Sequence, residues 1–148
     1  MPIAERTASV VWDGSLAGGG GTLDSGSGAF TGLPVTWAAR TEAPGGKTSP
    51  EELIAGAHAA CFTMALALVL GESGTPPDRL AVDASCTLDE VNGAPRITRV
   101  ALSVHGRVDG LDESTFQDAV GRAAALCPVS NAIRGNVEIS VDANLDAA

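Results

Sequence analysis

Aromatic and basic residues are both scarce in this chain. Tyrosine is absent, and two Trp and three Phe make up an aromatic content of 3%, so the core must be built from Ala, Val, Leu and Ile. Nine Lys and Arg stand against eighteen Asp and Glu, a formal net charge of −9. Nucleic acid and an anionic membrane surface would both repel such a charge over a Debye length, and neither is expected as a partner. The three cysteines are an odd number and cannot all pair within the chain, and there is no CxxC or HxxxH. Cys61 and Cys127 lie 127 − 61 = 66 positions apart with Cys86 between them, which matches no zinc spacing. Neither a metal nor any other cofactor is expected, and in a reducing compartment the cysteines are thiols.

A signal peptide is not expected either. The opening MPIAERTASV carries an acid and has no apolar core, unlike a signal peptide. The longest apolar stretch, Ala55 to Leu70, is interrupted by His58 and Thr63 and is too short to span a bilayer. It reads as a buried helix of a cytoplasmic protein.

What is present suits one ordinary domain, residues 1–148. With 148 residues, 45% of them hydrophobic, the chain can bury roughly two-thirds of the surface that its unfolded form exposes. Arg6 to Asp13 alternates as a strand, with Ala8, Val10 and Trp12 on one face. The run DGSLAGGGGTLDSGSGAF that follows reads as a Gly-rich hairpin, and Leu33 to Arg40 as a further strand. The segment TEAPGGKT, Thr41 to Thr48, ends like a phosphate-binding loop but has Thr41 where such a loop needs its first glycine, and it reads as a turn.

Ser49-Pro50-Glu51-Glu52 is a helix start. Serine is the N-cap, proline the first helical residue, and Glu52 is placed to reach back as a capping-box partner, which leaves Glu51 without a structural duty. The helix continues as LIAGAHAACFTMALALVLG, apolar nearly all round and so expected to be buried on most sides, and ends near Gly71 and Gly74. Leu80, Val82, Ala84, Cys86 and Leu88 then share one face of a strand. Asn92-Gly93 makes a hairpin turn, and Val100, Leu102 and Val104 face inward on the return. A second helix, about Asp112 to Leu126, aligns Phe116, Ala119, Val120 and Ala123, with Cys127 continuing the stripe. Val137, Ile139 and Val141 mark a last strand. Antiparallel strands around two helices give an α+β domain.

Free cysteine often packs as a small hydrophobe. That reading suffices for Cys86, on the apolar face of its strand. For Cys61 and Cys127, each on the buried part of a helix, packing and chemistry remain open on these grounds alone. His58 is read as a packed histidine, and His105 as outward-facing. Met64 and Phe62 either fill the core or line an apolar pocket.

The run SPEELIAGAHAACFTMAL, Ser49 to Leu66, together with Cys127-Pro128-Val129-Ser130, resembles the OsmC branch of the OsmC/Ohr hydroperoxide peroxidases. The similarity extends over essentially the whole chain. It implies antiparallel sheets wrapped around a central apolar helix pair in an intertwined homodimer. It further implies a thiol peroxidase that reduces organic hydroperoxides, and hydrogen peroxide less well. Transferred by position, Cys61 is the peroxidatic and Cys127 the resolving cysteine, and Glu51 the family's glutamate. The family's arginine falls on Arg40, at the end of the strand before the helix. The Ohr branch takes its arginine from nearer the N-terminus, where this chain reads DGSLAGGGG; the other upstream arginine is Arg6. The resemblance also implies an external dithiol reductant, with a lipoyl-type compound as the candidate.

The chemistry wants these residue types. Only a thiolate attacks a peroxide oxygen, and a guanidinium favours that charge and the alkoxide that develops. A carboxylate can hold the guanidinium by a bidentate pair. On a regular helix Glu51 lies about 15 Å along the axis from Cys61, too far for one arginine to serve both, so an antiparallel copy of the helix in a second subunit is expected to bring the charge. A non-catalytic stress protein of the same fold, binding apolar ligands, is the alternative.

Overall fold

The computed structural model describes residues 1–147, which fall into two compact units, residues 1–53 and 54–147. In the first, β1 (Ala8–Asp13), β2 (Gly20–Ser25) and β3 (Leu33–Val35) form an antiparallel sheet in chain order. Trp12 lies opposite Gly21, where any Cβ would meet the Trp12 and Val35 side chains within 2.9 Å. The Gly-rich run is thus partly a packing requirement. Both faces of β1 are exposed, Val10, Val11 and Trp12 included.

After β3 the chain departs from the expected strand. Residues Trp37–Thr41 form a short helix, α1, that carries Arg40. The Thr36 side chain accepts the Ala39 N–H as N-cap, and the good helix formers Ala38, Ala39 and Arg40 follow. TEAPGGKT is a turn, as read, closed by Thr48 pairing with Val35 and donating its N–H to the Pro34 carbonyl at 3.0 Å.

Helix α2 (Pro50–Glu72) starts with the Glu52 N–H donated to Ser49 Oγ at 3.1 Å. The Glu52 carboxylate completes the cap differently from a capping box, by accepting from the Thr48 hydroxyl at 3.0 Å. At the other end, the Thr75 N–H donates to Leu70 O at 2.9 Å and the Gly74 N–H to Gly71 O at 3.0 Å, with Gly74 at φ +80. This is a Schellman stop. Its 23 residues, with a most apolar 18-residue window of mean hydropathy 2.1, make α2 long and apolar enough to cross a membrane, longer than the apolar stretch alone implied. Only a third of that window is buried, which corrects the expectation of burial on most sides. His58, Phe62, Leu66, Val69 and Leu70 form the buried stripe, while Met64 and Leu68 are 72% and 54% exposed. A sequence apolar on every face carries no periodicity to say which face is covered.

In the second unit β4 (Arg79–Val91) and β5 (Ala94–Arg107) form a long hairpin about Asn92 (φ 54) and Gly93 (φ 80). Both left-handed values fit a type I′ turn, whose twist matches that of paired strands. Val82, Ala84 and Cys86 lie opposite Val104, Leu102 and Val100, and this face carries the core. Helix α3 (Glu113–Leu126) is N-capped by Asp112, which accepts the Thr115 N–H at 2.7 Å, and buries Phe116, Ala119, Val120 and Ala123 as its stripe required. Cys127, the C-cap of α3, is buried with that stripe and also caps a further helix, α4 (Pro128–Ile133).

Strand β6 (Glu138–Leu145) pairs with β5 in parallel, so the sheet β4-β5-β6 is mixed and not wholly antiparallel. A parallel neighbour needs a long crossover, and α3 and α4 supply it. The α+β class stands, with two three-stranded sheets and four helices among the described residues.

Candidate active site

Two of the four candidate residues meet in the first unit. Arg40 Nε donates to Glu51 Oε1 at 2.9 Å and to Oε2 at 3.1 Å, and Nη2 donates to Oε1 at 2.7 Å. Turning α1 by its cap points Arg40 at the first turn of α2, so Glu51, 7% exposed, has its duty after all. A charge-assisted, forked pair of this kind fixes a guanidinium better than a single contact. The Trp37 ring lies 5.8 Å from Arg40 Cζ and flanks the cation. Among the described residues Nη1 has no hydrogen bond to protein, so its donors remain available to a ligand oxygen.

The other two meet in the second unit. Cys61 is partly exposed on α2 and packs against the core, and Cys127 is fully buried at the junction of α3 and α4. The two thiols interact directly and perturb each other. Burial pushes the Cys61 thiol up, the Val129 N–H opposes this, and Cys127 adds to the rise. At Cys127 burial also disfavours the charge. The hydroxyl and N–H of Ser130, the Cys61 thiol and the Val129 N–H outweigh it, and the Cys127 pKa falls below the ordinary thiol value. The sulfur closes no regular cap bond on α4 but lies where the N–H groups of its first turn favour a negative charge. Within this unit the surroundings thus disfavour a negative charge on Cys61 and, on balance, favour one on Cys127.

Beside the thiols, two residues meet whose contact the sequence does not predict. Ser130 Oγ lies 2.7 Å from Nε2 of His58, and both residues are buried. The contact joins positions 72 apart, which no local pattern predicts; the one hint was that His58 precedes Cys61 by a single turn and Ser130 follows Cys127 by another. Phe62 is fully buried in the core, whereas Met64 is exposed; the two do not share one lining.

The family model for OsmC-like proteins matches residues 43–142, a span that contains Glu51 and both cysteines. The chain belongs to the OsmC-like family. This OsmC-like chain is 42% identical over 134 residues to peroxiredoxin OsmC of Escherichia coli, covering 90% of itself and 92% of that protein. It is 31% identical over 100 residues to the organic hydroperoxide resistance protein of Xanthomonas axonopodis pv. citri, covering 67% and 68%. The crystal structure of the organic hydroperoxide resistance protein OhrB of Bacillus subtilis superposes with a TM-score of 0.74 at 30% identity, over 93% of this chain and 98% of that one.

Proposed function

We propose that this chain is a thiol peroxidase that reduces organic hydroperoxides, and hydrogen peroxide less efficiently, through Cys61 and Cys127. Its family membership supports a peroxidase-type function. The observation that carries the finer reading is the direct interaction of these two thiols across 66 positions of sequence. The Cys61 thiolate attacks the hydroperoxide, an S–O bond forms as the O–O bond breaks, and the departing alkoxide takes up a proton. Cys127 then condenses with the Cys61 sulfenic acid before further oxidation, releasing water. An external dithiol, for which a lipoyl-type compound is our candidate, reopens the disulfide by thiol exchange.

The cation for Cys61 is, in this proposal, Arg40 held by Glu51, delivered by a second copy of the chain. The apolar face of α2 that includes Met64 and Leu68, and the exposed Val10, Val11 and Trp12 of β1, supply surface for such a homodimer. Arg40 Nη1 would then stabilise the developing alkoxide. We assign the full chain to one functional domain and to the cytoplasm, where dithiols are available. Turnover of an alkyl hydroperoxide with a dithiol reductant tests the proposal. Wild type should turn over and Cys61→Ser should not, whereas equal consumption by both, or by neither, would leave the non-catalytic alternative.

A further inference from the structure

Beside the two cysteines lies a polar line buried in an otherwise aliphatic core. His58 and Ser130 are 0% and 2% exposed, His58 Nε2 is 2.7 Å from Ser130 Oγ, and Ser130 acts through both its hydroxyl and its N–H on Cys127. Nδ1 of His58 is buried with no hydrogen-bond partner among the described residues. We propose that His58 is a positioning residue that, through Ser130, holds Cys127 ready as the thiolate which resolves the Cys61 sulfenic acid.

The orphan nitrogen decides the direction of the line. If Nδ1 carried the proton, a buried N–H would go unpaired, and the Ser130 hydroxyl would have to donate to Nε2 and so be lost to Cys127. With the proton on Nε2, only a ring lone pair is unpaired, the less costly defect. His58 then donates to Ser130 Oγ, and the single hydroxyl proton of Ser130 turns to the Cys127 sulfur. Desolvation lowers the His58 pKa, so burial favours the neutral ring in this line. Replacing His58 would release the hydroxyl from this orientation, and Ser130→Ala would remove it.

The step it serves balances without a further reactant. The Cys127 thiolate attacks the Cys61 sulfenic sulfur, the S–S bond forms and the S–O bond breaks. The departing hydroxide takes the proton that Cys127 gave up on ionising and leaves as water. The Cys127 sulfur is oxidised and the sulfenic sulfur reduced. Titratable side chains turned into this core are Cys61 and His58 from α2, Cys127 itself, and Cys86 from β4. The inward positions of β5 and β6 are aliphatic, and Arg134, at the end of α4, directs its guanidinium to Asn131 and to the Ala124 carbonyl.

The inference rests on Cys127 being the resolving thiol, as proposed above, and the resolving step is the one to measure. Full-length wild type, Ser130→Ala, His58→Leu and His58→Gln would each be mixed with one equivalent of cumene hydroperoxide, quenched at intervals, and assayed by mass for Cys61 sulfenic acid and for disulfide. Losing the hydroxyl's hydrogen bond raises the Cys127 pKa; below its pKa a thiol loses thiolate about tenfold for each unit of such a rise, while the more basic thiolate gains about threefold in nucleophilicity. Ser130→Ala and His58→Leu should therefore resolve about threefold slower at pH 6 and about threefold faster at pH well above both pKa values. Sulfenic acid formation should change less than twofold. His58→Gln, which keeps an N–H near the position of Nε2, should follow wild type. Ser130→Ala is nearly isosteric, so its result stands even if His58→Leu folds poorly. Wild-type resolution rates at both pH values in Ser130→Ala would overturn the inference while leaving the peroxidase intact. A wild type that forms no disulfide would instead remove the peroxidase reading, and this inference with it.

Discussion

Arg40 and Glu51, eleven positions apart, are locked by three hydrogen bonds of 2.7 to 3.1 Å from the guanidinium to the carboxylate. The pair occupies one edge of the cation and leaves Nη1 to donate elsewhere, the arrangement wanted for binding an oxygen that becomes negative in a reaction. Arg40→Met should slow sulfenic acid formation by about 10²- to 10³-fold, the usual effect of removing a donor to a developing oxyanion. Glu51→Gln keeps the shape but weakens the grip and should lose less, on the order of tenfold. Stopped-flow consumption of hydroperoxide under single-turnover conditions checks both.

The exposed side of α2 makes the quaternary structure testable. Wild type should sediment at about twice the 14.8 kDa chain mass. Leu68→Glu, which puts a charge on that apolar face, should shift the equilibrium to monomer and lower peroxidase activity with it. A monomeric wild type at micromolar concentration contradicts the proposed dimer.

Packing above the hairpin gives a stability prediction. A Cβ on Gly106 would come within 2.6 Å of two ring carbons of Phe116, which is itself fully buried. With no room for the ring to retreat, Gly106→Ala should destabilise by about 1–3 kcal/mol, the ordinary cost of overpacking. Urea denaturation midpoints measure this.

The pH dependence of stability should carry the signature of His58. Burial depresses its pKa below the reference value of 6.5, so between its folded pKa and 6.5 the unfolded chain binds the proton better. The stability this histidine contributes is therefore complete above about pH 6.5, declines as pH falls below that, and levels off once pH is under the folded pKa. Denaturation midpoints from pH 7.5 down to pH 5 should show the decline in wild type and a shallower one in His58→Gln.

Much of this architecture was legible in the residues, for reasons that also mark where legibility ends. Local chemistry announced itself: the Ser49 cap, the Asn92-Gly93 turn and the Phe116 to Ala123 stripe each depend on neighbours in sequence. Arg40 was misplaced onto a strand because a five-residue helix has too little periodicity to compete with the apolar run before it. Alternation in Ile139 and Val141 showed a strand but not its direction, since side-chain period is the same in either pairing. α4 is six residues long and was missed for the same reason as α1. Cys61 and Cys127 were singled out by the motifs around them, whereas the contact of His58 with Ser130 is tertiary, hinted at only by the place of each residue one turn from a cysteine.

The most direct test of the account is a thiol map after a single oxidation. Reduced protein treated with one equivalent of an alkyl hydroperoxide, alkylated and digested, should yield the peptides of Cys61 and Cys127 joined by a disulfide, with the Cys86 peptide alkylated. Cys127→Ser should stop at the Cys61 sulfenic acid and pass to the sulfinic acid with excess hydroperoxide. Recovery of Cys61 and Cys127 both alkylated after the hydroperoxide has been consumed, or a disulfide that joins any other pair, would contradict it.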